Sequence, residues 1–524
     1  VQILRSLNKR FRDLVLLDWL LIAALLIALV ILIRLFAQRY LQLMEGYLLS
    51  WNSIRLAWSF SLNHGYKLYY PMDSGPVISV LYGPIFPLTY CFLSFIHSPT
   101  FAIISASFIS CCFFFLPVLW MHLFYGQIAQ KKTLCAAVAF LTFCFLAITS
   151  RELSYSALCV HADALALAMA TVACAFLFRL KNLNNIWPLV YSSIFSVLAV
   201  WTKQTLIPIF IALPVYILLA YGYRCMLRYL LCLCITFISI SAIIFTFFDV
   251  RDLWFHTITL PLSSPWRLQG GRLVNLYTAC NVLIKKCSRF VLLLGVYSFY
   301  QFLSIPAGNK RISQWFSSNP WTILAITSVF MVPTSILGWV KVGGDSNNLS
   351  PSIYFLYAAF TLAAFGLILG WLNSPCRKTS LGANILLLVI VISLILAKHE
   401  MKHNLKALEI LGRNETEAAF NYEKKHPGEV YFPGQPLSAL MAEGKLYHHT
   451  YGVFERRICG FPLTREHFKT YVPPNMRFIA FRGIDVLNLE IMKYFPEFTR
   501  IVQIKELDGW IVYSQDKNSE NTSY

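Results

Sequence analysis

For about three quarters of its length the chain alternates long apolar runs with short polar breaks, and then the pattern changes. A helix needs roughly 17–25 apolar residues to cross a bilayer. Such runs are predicted near 14–36, 101–125, 134–150, 164–180, 187–202, 205–222, 229–248, 290–305, 320–339, 353–372 and 381–397. Those at 134–150, 187–202 and 290–305 lie at or just under the limit. The run 77–97 is broken by Pro84 and Pro87 and reads equally as a span or an interfacial segment. After the last run, short alternating segments predict strands at Glu429–Pro433, Met476–Phe481, Thr499–Ile504 and Trp510–Ser514. Helical spacing appears at Leu437–Leu446 and Ile484–Phe495, and the polar stretch Lys398–Lys425 reads as a helix leaving the membrane. The expected fold is mainly α: a polytopic transmembrane domain over 1–397 with about 11–12 spans, and a small soluble α/β domain over 398–524.

Composition sharpens this division. Of the 524 residues 57% are hydrophobic, against about 45–50% in soluble domains. An ordinary cytosolic enzyme, a disordered chain and a secreted disulfide scaffold are thereby excluded. The last 127 residues hold 17 Lys/Arg and 16 Asp/Glu, so they are charged like a soluble domain, whereas only about 9% of the first 397 residues are charged. Almost the whole net charge of +19 therefore belongs to the apolar part. There it points to lipid headgroups and orientation, not to nucleic acid. Most of the fourteen cysteines lie in apolar runs and no CxxC pair is present, which argues against a disulfide or metal framework.

Charge also orients the chain. If 77–97 does not span, the short loops on one side hold Lys131, Lys132, Arg179, Lys181, Arg224, Arg228, Lys310, Arg311, Arg377 and Lys378. The opposite loops hold only Arg151, Lys203 and Lys341. By the positive-inside bias the first side is cytoplasmic, the N-terminus lies inside and the tail outside. No signal-peptide cleavage pattern is seen, so the first helix reads as a retained anchor. Outer loops are expected at 38–99 and 249–289.

The apolar part has nine carboxylates: Asp13, Asp18, Glu45, Asp73, Glu152, Asp163, Asp249, Asp252 and Asp345. In this topology all but Asp13 and Asp18 fall on the outer face, although acidic residues did not set the orientation. Ionisable groups near membrane depth are costly and mark function. Four constellations follow: Leu43–Tyr47 with Glu45, His161–Leu165 with Asp163, Trp201–Thr205 with Lys203, and Lys341–Asn348 with Asp345 and Asn347. Carboxylates and cations on one face suit sugar transfer. A carboxylate takes the proton of an attacking hydroxyl, and a cation neutralises the departing phosphate. Each residue has a plainer role as well: Glu45 as an interfacial carboxylate, Asp163 as a helix cap, Lys203 as a snorkelling cation, Asp345 as a turn residue. His161 and His256 are weaker candidates, and His448-His449 reads as a surface pair.

At these positions the chain resembles the GT-C superfamily of polytopic glycosyltransferases, in the style of protein O-mannosyltransferases and the lipid A aminoarabinose transferase. The resemblance rests on Met44-Glu45-Gly46-Tyr47 after the first helix, Gly65…Tyr69, Tyr82-Gly83-Pro84, His161-Ala162-Asp163-Ala164-Leu165, Thr202-Lys203-Gln204 and Gly343-Gly344-Asp345…Asn347. It covers about residues 1–397, and Met44 stands where an Asp often precedes the Glu. It implies inverting transfer of a monosaccharide from a polyprenyl-phosphate carrier to an outside glycan, lipid or protein acceptor. Glu45, or Asp163 in its place, would be the base. Lys203 would meet the lipid phosphate with Arg151 or Arg272, and His161, Tyr69, His256, Asp345 and Asn347 would complete the substrate site. No cofactor is expected; a divalent cation has room but no ligand set that demands it. A bacterial inner membrane is the expected location. The principal alternative is a transporter or lipid-carrier flippase, followed by a polysaccharide polymerase or ligase and a non-catalytic scaffold. No internal repeat of the transporter kind is visible.

Overall fold

The computed structural model describes residues 16–44, 47–125, 132–178, 180, 185–267, 271–305, 308, 311–372, 377–397, 415–483 and 486–515. Its main helices are α1 (Leu16–Met44), α2 (Tyr47–Asn63), α3 (Pro99–Tyr125), α4 (Lys132–Thr149), α5 (Arg151–Leu158), α6 (Ala162–Leu177) and α7 (Trp187–Thr202). They continue with α8 (Ile209–Tyr221), α9 (Tyr223–Phe247), α10 (Gly271–Leu303), α11 (Arg311–Ser318), α12 (Trp321–Val340), α13 (Ser350–Leu372) and α14 (Arg377–Leu396).

All eleven apolar runs are helical, yet they differ in kind. Six helices among the described residues are long and apolar enough to cross a membrane, seven if the bent pair α4–α5 counts as one span. The protein is an integral membrane protein. The remaining expected spans fall short for separate reasons. Helices α6 and α7 have 16 residues each, about 24 Å against a hydrocarbon core of about 30 Å. Most of α6 is buried by protein, and its alanines let neighbouring helices approach closely. The 33-residue α10 carries Lys285, Lys286 and Arg289 in its middle. By contrast α9 turns Leu227, Leu231, Ile235 and Ile238 outward, as a lipid-facing helix does.

The run 77–97 is no span: it is loop followed by a six-residue helix, Ile85–Tyr90, and a 3-10 turn, Cys91–Phe95. Ahead of it α2 occupies ground that the sequence left as loop. The expected span 134–150 ends at Ser150, where the chain turns by 99° into α5. Ser150 is extended (φ −81°, ψ 125°), and the polar sequence Arg151-Glu152-Leu153-Ser154 could not continue into lipid. Such a break is tolerated where protein surrounds it, and residues 152–158 of α5 are all buried.

The tail is built of α15 (Glu415–Lys425), α16 (Pro436–Glu443), α17 (Thr450–Ile458), α18 (Arg465–Thr470) and α19 (Val486–Met492) around four strands. β1 (Val430–Tyr431), β2 (Phe478–Phe481), β3 (Phe498–Val502) and β4 (Ile511–Gln515) form a sheet of order β1-β2-β4-β3. β1 and β2 are parallel and the other pairs antiparallel. All four strands lie where alternation placed them. Of the expected helix 398–425, residues 398–414 lie outside the described residues.

The tail is docked on the loop face of the helical part. Leu437, Leu440 and Leu446 share an apolar cluster with Ile54, Trp58 and Phe60 of α2. Glu417 accepts hydrogen bonds from Ser98 Oγ (3.1 Å) and Thr100 Oγ1 (2.7 Å). His448 and His449, expected at the surface, are both buried in this contact. Their neighbours along the chain do not foretell docking, so alternation alone could not place them.

Candidate functional site

Under the tail, α5, the N-terminus of α6, the end of α7 and the loop 341–349 meet. Asp163 is the hub. Its N-terminal position on α6 favours a carboxylate, and it is 1% exposed. Oδ1 pairs with Lys203 Nζ. Oδ2 accepts from Asn347 Nδ2 (2.8 Å) and Ser156 Oγ (3.1 Å), and lies 2.8 Å from His161 Nδ1. His161 Nδ1 is also 3.2 Å from the Asp163 backbone N. We assign the proton to Nδ1, because the shorter contact is to a carboxylate, which only accepts. His161 Nε2 then accepts from Tyr82 O–H at 2.9 Å. Lys203, 2% exposed, sits where α7 ends and the chain turns extended, with Nζ 5.7 Å from the Tyr82 ring centre. Taking these two charges out of water is costly, and only such a complete set of partners offsets it.

A second group of charges lies beside the first and is looser. Arg151, at the start of α5, has a side chain 73% exposed and is 3.9 Å from Asp345 Oδ1, itself 55% exposed. Asp345 also caps the turn Ser346–Leu349 through the Ser346 N–H. One residue on, Glu152 accepts from Ser150 Oγ (2.6 Å) and lies 3.4 Å from Lys286 Nζ of α10. Arg39 of α1 donates to Ser154 Oγ at 2.8 Å. Helix α5 and the loop 345–347 each contribute residues to both groups, so the two are contiguous.

Arg55 of α2 completes the surroundings. It is 7% exposed, donates to Tyr155 Oη (3.0 Å) and to the Val160 carbonyl (3.2 Å), and lies 5.3 Å from the Trp51 ring centre. Among the described residues no carboxylate pairs with it. Trp51 in turn meets Tyr451 of α17 at 4.5 Å. Gly343, at φ +80°, leaves the space that the Tyr451 hydroxyl occupies; a Cβ there would stand 2.1 Å from it. The tail thus reaches the site directly.

The structure brings Asp163, Lys203, His161 and Asn347 into one cluster and sets Arg151 and Asp345 at its edge. Tyr69 and His256 belong elsewhere: Tyr69 Oη donates to the Tyr82 carbonyl (2.7 Å), and His256 Nε2 lies 3.0 Å from the Tyr70 carbonyl. Both brace the segment that presents Tyr82. Arg272, on α10, lies over the Trp266 ring at 5.9 Å. Glu45 lies outside the described residues and directly precedes α2, the helix of Trp51 and Arg55. Sequence reasoning missed Arg55, Arg39, Lys286 and Ser156. Asn52, Arg55 and Ser59 at helical spacing were a legible polar stripe; Arg39 and Lys286 carried no local signal.

No family model and no curated protein matches the chain. Among solved structures it is similar to the Archaeoglobus fulgidus oligosaccharyltransferase in complex with Zn and sulfate, at 12% identity and a TM-score of 0.41, over 82% of this chain and 63% of that one. A second structure of that enzyme, tethered to an acceptor peptide containing the NVT sequon, gives 12% identity and a TM-score of 0.38 over 90% and 70%. The chain thus spans less than two thirds of the first structure's length.

Proposed function

We propose that the protein is a membrane glycosyltransferase of the GT-C type, moving a monosaccharide from a polyprenyl-phosphate carrier to an acceptor on the tail side of the membrane. The observation that carries this reading is the positive excess in the cluster under the tail. Arg39, Arg55, Arg151, Lys203 and Lys286 converge there with Asp163, Glu152 and Asp345, and Arg55 has no carboxylate partner among the described residues. An anionic phosphate entering from the lipid phase would supply the missing charge.

The roles divide by how far each group is already satisfied. Lys203, which the sequence assigned to the phosphate, is committed to Asp163, so Arg151 and Arg55 are the better phosphate ligands in this reading. Asp163 has its oxygens filled by four partners and serves as the anchor of the cluster. That leaves Glu45 as the acceptor's base, with inversion at the sugar carbon. His161, Tyr82 and Asn347, hydrogen-bonded within the same cluster, would hold its geometry for the substrate at the rim. The tail would be extracytoplasmic and the N-terminus cytoplasmic, in a bacterial inner membrane by the style of the resemblance.

The test is turnover by the full chain in nanodiscs supplied with radiolabelled polyprenyl-phosphate pentoses and hexoses. Release of the sugar from its carrier, lost in Glu45→Gln, is expected. No release from any carrier, together with no retention of polyprenyl phosphate above bulk phospholipid, would refute the reading.

A further inference from the structure

The segment Val77–Ser79 leads to Tyr82 and is gripped from two sides. From below, Trp58 Nε1 of α2 donates to the Ile78 carbonyl at 2.7 Å. From above, the tail supplies adjacent histidines. The Val77 N–H donates to His448 Nδ1 at 2.9 Å, while His449 Nε2 donates to the Ile78 carbonyl at 2.5 Å. His449 Nδ1 meanwhile accepts from the Gly452 N–H at 3.0 Å. Gly452 is needed for the fit, since a Cβ there would stand 2.8 Å from the Val77 carbonyl. Ser79 adopts φ +51°, which a non-glycine residue holds only under constraint.

Both Nδ1 atoms accept a backbone N–H, so both rings must be neutral. A proton on Nδ1 would set one N–H against another. We propose that His448 and His449 form an acid-labile clamp: protonation of the pair releases the tail and the Val77–Ser79 strap, and with them Tyr82.

Backbone groups of His467 and Phe468 beside His448, and the Ile78 carbonyl at His449, favour the charged rings, but burial outweighs them. His467, 5.5 Å from His448 ring to ring, adds repulsion once charged, although it can still donate to the Gly75 carbonyl (2.8 Å). Tyr471 packs its ring on His448, and Tyr431 Oη donates to the His448 carbonyl at 2.6 Å. On α17, Glu455 is buried with one oxygen unpartnered, and burial pushes its carboxyl well above the usual range. Arg456 hydrogen-bonds the Met72 carbonyl and interacts with Asp73. His256 lies across the strap's base, lowered to about 4 by burial. Burial likewise lowers His448 to about 3 and His449 to about 4. With the released-state values near 6.5, the clamp is intact above about pH 6.5. Below it, each pH unit weakens docking by about tenfold per histidine until the docked values are approached.

Hydrogen exchange of the full chain in nanodiscs, corrected for intrinsic rates, tests this at pH 7.5 and pH 5. Peptides spanning 66–83 and 447–459 are expected to lose protection at pH 5, while α13 keeps it. The joint variant His448→Asn and His449→Asn, whose amide oxygens accept but do not titrate, is expected to lose most of that pH response. Each single variant is expected to lose about half of the slope. Unchanged protection of the wild type at pH 5, or an unaltered slope in both single variants, would overturn the clamp.

Discussion

Two groups of charge lie side by side in this protein and are built on opposite principles. Around Asp163 every group is buried and answered: Lys203, His161, Asn347 and Ser156 fill its oxygens. Around Arg151 the pairing is long, 3.9 Å to Asp345, and the side chains are open to solvent. A saturated buried cluster fixes the geometry of the helices that meet there. An unsaturated one at its rim leaves donors for a ligand. The difference separates architecture from binding within one site, where residue type alone would assign both to substrate.

The comparison can be broken most severely at Lys203. Removing one partner of a buried pair leaves an uncompensated charge and costs about 3–5 kcal/mol. Lys203→Ala is expected to lower the unfolding midpoint in detergent strongly, whatever ligand is present. Arg151→Ala should do the reverse, with stability within about 0.5 kcal/mol of wild type and polyprenyl-phosphate affinity down about 10- to 100-fold, the value of one charge-assisted contact. Asn347→Ala removes a neutral donor from a carboxylate that keeps other partners. Denaturation should register about 1–3 kcal/mol. Smallest of all, Asp345→Ala deletes a solvent-screened pair and should shift stability by less than about 1 kcal/mol. By leaving Arg151 without its neighbour, it should not weaken phosphate binding. Equal stability losses in Lys203→Ala and Arg151→Ala would erase the distinction between the groups.

How much of this was legible in the sequence depends on the range of the interactions. Apolar runs are local, so each of the eleven holds helix and all four strands stood where patterning put them. Helix α10, however, begins at Gly271, inside the stretch expected as the outer loop 249–289, because its polar first half carries no apolar run. The Asp163 and Lys203 constellations were legible as rare charges in an apolar chain. Their mutual pairing was not, because 40 residues separate them. Helix α5 escaped notice because its eight residues are polar enough to read as loop. The 99° turn that makes it useful falls at extended Ser150, where the sequence becomes polar. His448 and His449 were misread for a related reason: what buries them is a strap some 371 residues earlier in the chain.

Arg55 shows the intermediate case. Its helix was left as loop, yet Asn52 and Ser59 on the same face already marked a buried polar stripe. In the fold that stripe holds the α5–α6 junction: Asn52 Oδ1 accepts the Val160 N–H at 2.9 Å while Arg55 donates to the Val160 carbonyl. A guanidinium that braces the backbone with part of its fork retains other donors for an anion.

The account stands or falls on whether Arg151 and the buried Arg55 bind lipid phosphate. The most direct measurement is native mass spectrometry of the purified chain with polyprenyl phosphate, run in parallel on wild type, Arg151→Ala and Arg55→Gln, with unfolding midpoints recorded for each. Specific retention by the wild type, reduced in Arg151→Ala while its midpoint is unchanged, is the predicted result. Retention by the folded Arg151→Ala and Arg55→Gln proteins equal to that of the wild type would contradict it.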